Sequence, residues 1–181
     1  MTGLERTAEW PVPNVSAAVI GVDGVRDSVG DVDRRFRLAS VAKMISSWAV
    51  LVAVEEGIVG LDQPVGQPGC TLRHLLAHAG GYAFDGEEPI TRPGSRRIYS
   101  NTGIELAAGA VVEAAGLPFS AYLAEAVLGP LEMTATELRG SPAHGMWSSV
   151  RDLSRFAGEL LRPTLLAPTR PKVVEYQGMP A

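Results

Sequence analysis

A run of apolar residues with a single positive charge at its head constrains this chain more than any other stretch. Met44, Ile45, Trp48, Ala49, Leu51, Val52 and Val54 leave little of a helical circumference polar, so the spacing predicts a buried helix. It runs from Ser40 to about Glu56, where Gly57 can take the left-handed conformation that ends it. Lys43 lies in its first turn. The chain writes its positive charge as arginine almost everywhere, and Lys43 and Lys172 are its only lysines. A lysine rooted in such a helix is not an ordinary surface charge. Residues i and i+3 share a helix face, so the Lys43 ammonium can reach the Ser40 oxygen. A serine attacks a carbonyl only when a base takes its proton, and a lysine can be that base where burial or nearby charge favours its neutral form. On spacing alone, Ser40 could equally be a helix cap and Lys43 a surface charge.

Two short strands precede the helix. Val15 to Gly21 and Gly24 to Gly30 flank Val22-Asp23, and Asp23-Gly24 is a tight-turn signal. Arg35 to Leu38 reads as a third extended piece. After the helix, Leu61-Asp62-Gln63-Pro64-Val65 is a loop, and Thr71 caps a short helix to Ala77. Gly80, Gly81, Gly86, Pro89, Pro93 and Gly94 predict an irregular loop. Gly103 to Ala115, Phe119 to Val127 and Val150 to Leu161 have helical periodicity, stopped by Gly116-Leu117-Pro118 and Gly129-Pro130. The tail from Arg162 is proline-rich and patternless.

At 181 residues, 46% hydrophobic and 20% charged, the chain can form one domain with a substantial core. A net charge of −4 with scattered arginines argues against a nucleic-acid surface and favours a small substrate. Met1 to Pro13 has neither a basic nor an apolar signal region, so the expected compartment is cytoplasmic, with export not excluded; no membrane partner is expected. Cys70 is the only cysteine, which leaves no intrachain disulfide, and it reads as a small buried side chain. Three separated histidines imply no metal site, and no cofactor is called for.

A second constellation, Tyr99-Ser100-Asn101, stands in a glycine-flanked turn before a helix. Singly, Tyr99 would be a packing residue and Asn101 a helix cap. Beside Ser40 and Lys43 they read differently: a phenol near an ammonium can shuttle a proton, and an amide can donate to a substrate carbonyl while accepting from a lysine.

With these residues the sequence resembles the serine β-lactamase and penicillin-binding-protein superfamily, in its class C β-lactamase, esterase and DD-peptidase-like branch. Ser40-Val41-Ala42-Lys43 matches the Ser-x-x-Lys motif and Tyr99-Ser100-Asn101 the Tyr-x-Asn motif. Leu61 to Val65 is similar to the branch's Leu-Asp-Asp-Pro-Val segment, Leu72 to Gly81 to its Leu-Leu-x-His-Ser-Gly region, and Trp147 to Phe156 to its Ser-Thr-x-x-Asp-Leu-x-x-Phe helix. The resemblance runs from about Val15 to Leu161.

It implies an α/β (α+β) fold, β-lactamase/transpeptidase-like, with a helical domain against an antiparallel sheet. It also implies acyl transfer through a covalent Ser40 ester on an ester, amide or β-lactam. Lys43 would activate the nucleophile, Tyr99 would carry the leaving-group proton and Asn101 would hold the substrate, with Lys43 and Tyr99 both open as the resting base. His78 would be a structural loop residue, and His74 and His144 structural or exposed. The family's third motif, Lys-Thr-Gly or His-x-Gly on a late strand, is not found after Tyr99, and His144-Gly145 stands in no strand-like run. The expectation is therefore a single incomplete domain over 1–181: strands of the sheet at 13–39, the nucleophile helix and helical region at 40–165, and a tail at 166–181 leading to missing C-terminal strands. A complementary C-terminal segment or a second chain along the sheet edge would complete it. A ligand-binding module without turnover and a non-catalytic scaffold are the other readings.

Overall fold

The computed structural model describes residues 3–166. Of the expected tail, all but Leu166 lies outside the described residues. A short 3₁₀ turn at Glu5–Glu9 leads to the hairpin, β1 (Ala17–Gly21) and β2 (Gly24–Val29), antiparallel with Gly21 opposite Gly24. Gly24 has φ 113°, a conformation that glycine adopts without a side-chain clash, and the turn forms where Asp23-Gly24 predicted it.

The expected helix is α1 (Ala42–Glu55), entered through a 3₁₀ turn at Ala39–Val41 and followed by Gly57 at φ 75°. Ala42, Ile45, Ala49, Val50, Val52 and Ala53 on it are buried, and it packs against α3 (Asn101–Ala115). Full burial of a side chain such as Ile45 is worth about 1.5–3 kcal/mol. Against α3 also packs α2 (Leu72–Leu76), whose Leu72 and Leu75 are fully buried. Thr71 caps α2, and His74 closes a reciprocal capping box by accepting the Thr71 N–H on Nδ1 at 3.2 Å, which gives His74 a structural role. Cys70 is buried in this layer, and burial pushes its thiol pKa up.

Three details differ from the sequence reading. The extended piece is β3 (Phe36–Arg37), and it pairs with neither hairpin strand. It forms a second antiparallel sheet, in the order β3-β5-β4, with β4 (Glu137–Leu138) and β5 (Met146–Ser148). Strands of two or three residues carry too short an alternation to register as a pattern. The helix expected over 119–127 is α4 (Phe119–Leu123) continued by a π-helical turn at Ala124–Leu128. And α3 begins at Asn101, capped by the Ser100 hydroxyl, which accepts the Gly103 N–H at 3.0 Å. Asn101 is thus the first residue of the helix and its amide is free for other work.

The last helix, α5 (Val150–Leu161), has the predicted limits and lies against the hairpin. Its buried Asp152 accepts the Ala135 N–H and the Thr136 hydroxyl, both at 2.8 Å, and so ties α5 to the chain entering β4. Arg151 donates from Nε to Asp33 at 2.5 Å, and that guanidinium lowers the Asp33 carboxyl pKa. Among the described residues no single helix is long and apolar enough to cross a membrane.

Candidate active site

Two helix starts and one hairpin turn converge on the Lys43 side chain. The first is the start of α1. Ala39 has φ 46°, a left-handed conformation that costs a residue with a side chain about 1–2 kcal/mol, and this kink sets Ser40 at the head of the helix, partly exposed. One turn on, Lys43 is 4% exposed. Its Nζ donates to Ser40 Oγ at 3.2 Å, to Asn101 Oδ1 at 2.5 Å and to the Ala143 carbonyl at 3.0 Å. An ammonium has three N–H donors, and each has an acceptor here.

The second start is that of α3. The Asn101 amide accepts from Lys43 and donates through Nδ2 to Asp85 Oδ1 at 2.7 Å, while its backbone N–H donates to the Phe84 carbonyl at 2.7 Å. Its orientation is therefore fixed from both ends. Asp85 had no motif to mark it. It lies in the glycine-rich loop, which is ordered because Gln67 Nε2 stitches it by donating to the carbonyls of Gly80 at 2.7 Å and Thr91 at 3.0 Å. Gly81, at φ 85°, lets that stitch close: a Cβ there would stand 2.2 Å from the Thr91 oxygen.

The turn between β4 and β5 supplies the third side. Ser46, one turn along α1 from Lys43, donates to the Pro142 carbonyl at 2.7 Å, beside Ala143. The Ser141 hydroxyl donates to Glu105 on α3 and accepts the Ala143 N–H at 3.0 Å. His144-Gly145 belongs to this turn, next to the carbonyl that receives Lys43, and not to a strand across from Ser40. A backbone carbonyl leaves no side-chain signature, so the sequence could not announce Ala143.

Tyr99 closes the cluster. The Lys43 ammonium lies 4.8 Å from its ring centroid, Phe84 stacks on it at 6.1 Å, and Tyr99 as a whole is 38% exposed. Ser40, Lys43, Tyr99 and Asn101, distant in sequence, thus meet at one place. His78 is a loop residue beneath Tyr99. Burial first, then Arg97 and Lys43, lower its pKa to about 4. Among the described residues the cluster is assembled from the helical side and from the β4–β5 turn; no strand bearing Lys-Thr-Gly or His-x-Gly faces it.

A lysine shared by a serine and a Tyr-x-Asn turn is thus set between two helices and a small sheet. The chain belongs to the beta-lactamase family, whose model matches residues 12–176. It is similar to a solved structure described as a beta-lactamase from Mycobacterium bovis, with 49% identity and a TM-score of 0.91 over 92% of this chain and 62% of that one. It therefore spans less than two thirds of that relative's length. A D-stereospecific amidohydrolase from Streptomyces (22% identity, TM-score 0.76, 92% of this chain and 73% of that one) shares the fold. So does an octameric penicillin-binding protein homologue from Pyrococcus abyssi (20%, 0.76, 89% and 55%). No curated protein matches the chain.

Proposed function

We propose that this chain carries the nucleophile side of a serine hydrolase that acts by acyl transfer through a covalent Ser40 ester on an ester, amide or β-lactam. The observation that carries the reading is the Lys43 ammonium, buried and held by Ser40 Oγ, Asn101 Oδ1 and the Ala143 carbonyl together. A buried cation is costly unless fully paired, and nothing in the packing of α1 requires one at this position. Its use is chemical. With Lys43 as the neutral amine or Tyr99 as the phenolate, that group takes the Ser40 Oγ proton as the oxygen attacks the substrate carbonyl carbon, and the collapsing tetrahedral intermediate expels the leaving group, which takes that proton through Tyr99. Water then attacks the ester by the reverse route and frees Ser40. Asn101, held by Asp85, presents its amide to the substrate.

The remaining wall of the cleft, with the third motif and a second donor for the oxyanion, is proposed to come from a further C-terminal segment or a second chain along the edge of the β1–β2 sheet. Two features support this. The hairpin is only two-stranded among the described residues, and β2 is exposed along nearly its whole length. A missing oxyanion donor alone costs about 3 kcal/mol of transition-state stabilisation.

Intact mass after treatment with a fluorophosphonate, and after a labelled penicillin, tests the reading. One adduct on the protein and none on Ser40→Ala is expected. An equal increase in Ser40→Ala, or none with the completed protein, overturns it. An adduct that forms once and never turns over, even with the third motif present, would favour the ligand-binding alternative.

A further inference from the structure

Tyr99 lies in an irregular segment, half open to solvent, yet a proton carrier needs a fixed position. One residue supplies most of that fixing. The His78 carbonyl accepts the Ile98 N–H at 2.7 Å, and the His78 ring accepts the Ser100 N–H on Nδ1 at 3.2 Å. Between these two bonds the Tyr99 ring rests on the imidazole, centroids 4.6 Å apart. The chain is therefore pinned immediately before and immediately after Tyr99 by a single histidine. His78 is itself set by its N–H, which donates to the Leu75 carbonyl at 3.0 Å, and by a left-handed φ of 59° that turns the chain out of α2.

We propose that His78 is a positioning residue for Tyr99, a clamp that holds the phenol against Lys43 while the imidazole is neutral and lets the segment go when Nδ1 is protonated. The inference rests on the role proposed above for Tyr99, although the clamp can be measured without it. Acceptance of the Ser100 N–H requires a lone pair on Nδ1, hence the tautomer with its proton on Nε2. The groups facing the ring favour that state: burial, Arg97 from the loop before Tyr99 and Lys43 from α1 all oppose a charged imidazole, and the Tyr99 ring covers one face. With the folded pKa at about 4, below the ordinary value of 6.5, the folded protein binds fewer protons than the unfolded chain between those values. Stability from the neutral ring is thus complete above pH 6.5 and is lost as pH falls toward 4, where the clamp opens.

Amide and imidazole NMR on the full chain tests this, with His78→Asn and His78→Ala as comparisons. Asparagine carries Oδ1 where histidine has Nδ1 and tolerates positive φ, so it keeps the acceptor and removes the titration. In the unsubstituted protein the Ser100 amide and Tyr99 ring signals should shift with the same midpoint, near pH 4, as the His78 ring. In His78→Asn that shift vanishes and Ser100 keeps its exchange protection. In His78→Ala, Ser100 protection falls about tenfold or more while α3 beyond Gly103 keeps its own. Ser100 and Tyr99 signals that ignore the His78 titration, or that titrate unchanged in His78→Asn, would overturn the clamp even if His78→Ala fails to fold. Fluorophosphonate labelling of Ser40 should fall about tenfold in His78→Ala and recover in His78→Asn. Labelling equal in all three overturns the positioning role. Labelling absent from the unsubstituted protein counts against the hydrolase reading instead and leaves the clamp to the amide signals.

Discussion

The surroundings of Lys43 and the β1–β2 hairpin are opposite in character. Around Lys43 every donor has an acceptor, the acceptors are held by further bonds to Asp85 and Ser141, and Lys43, Asn101 and Ala143 themselves are buried. In the hairpin, Val19 and Val25 are roughly half exposed, one bulge interrupts the register, and among the described residues the strands pair only with each other. A cavity of about 450 Å³ opens beside its contact with α5, lined by Ala18, Val25, Val150 and Arg151 among others. The two regions obtain their order differently. The cluster is over-determined by polar bonds from three elements, so it can exist before substrate arrives, which is the preorganisation that the proposed acyl transfer would need. The hairpin relies on α5 and on the Asp33–Arg151 pair, and exposed pairs of that kind contribute little.

The sharpest way to break the contrast is Lys43→Met, which keeps an unbranched stem and removes all three donors. Acylation of Ser40 should fall about 10³-fold, within the span of general acid–base effects. The Asn101 and Ala143 oxygens left without their donor should each cost about 1–3 kcal/mol in urea unfolding. A labelling rate within tenfold of the original would make the cluster a structural device. Asp152→Ala strikes the tie between α5 and β4, leaving the Ala135 N–H and the Thr136 hydroxyl without their buried acceptor. A loss of about 3 kcal/mol is expected, with labelling reduced because the β4–β5 turn is less well held. Unchanged stability would show that the turn is fixed by Ser46 and Ser141 alone. Tyr99→Phe keeps the ring on His78 and removes only the phenolic hydroxyl. Turnover of an activated ester by the completed protein should drop about 10²-fold, with stability within about 0.5 kcal/mol.

Legibility in the sequence follows the same division. Ser40, Lys43, Tyr99 and Asn101 could be read because they are side chains in short motifs, and α1, α3 and α5 because ten or more residues repeat an apolar spacing. What escaped were contributions without a pattern: the Ala143 carbonyl, the Asp85 carboxylate inside a loop of glycines, and the very short strands β4 and β5. The Ser100 cap was hidden by Asn101, an equally good capping residue one place on. His78 read as structural, and it is, but its two bonds around Tyr99 depend on a turn conformation that no spacing rule foretells. The grouping of β3 with the hairpin failed because adjacency in sequence was the only guide, whereas the Phe36 and Arg37 partners lie more than a hundred residues away, at Ser148 and Trp147.

The smallest expected effect tests the open side of the comparison. Val25 is 56% exposed on β2, and its side chain borders the cavity beside α5. A half-exposed valine on an unshared strand contributes little burial, so Val25→Lys should change the stability of this 181-residue chain by no more than about 0.5 kcal/mol. Lysine is also a residue that edge strands tolerate, because its charge discourages pairing with other chains. The outcome differs if a further segment or a second copy covers the hairpin. The lysine would then be buried among apolar groups, and the loss should exceed about 2 kcal/mol or release the added partner. Urea unfolding of the chain alone and of the longer protein, each with and without Val25→Lys, separates the cases. A large effect in the chain alone, at several concentrations, would point to self-association through this face. A small effect in both would mean that the completing strands lie elsewhere, and the proposed edge along β1 and β2 would have to be given up.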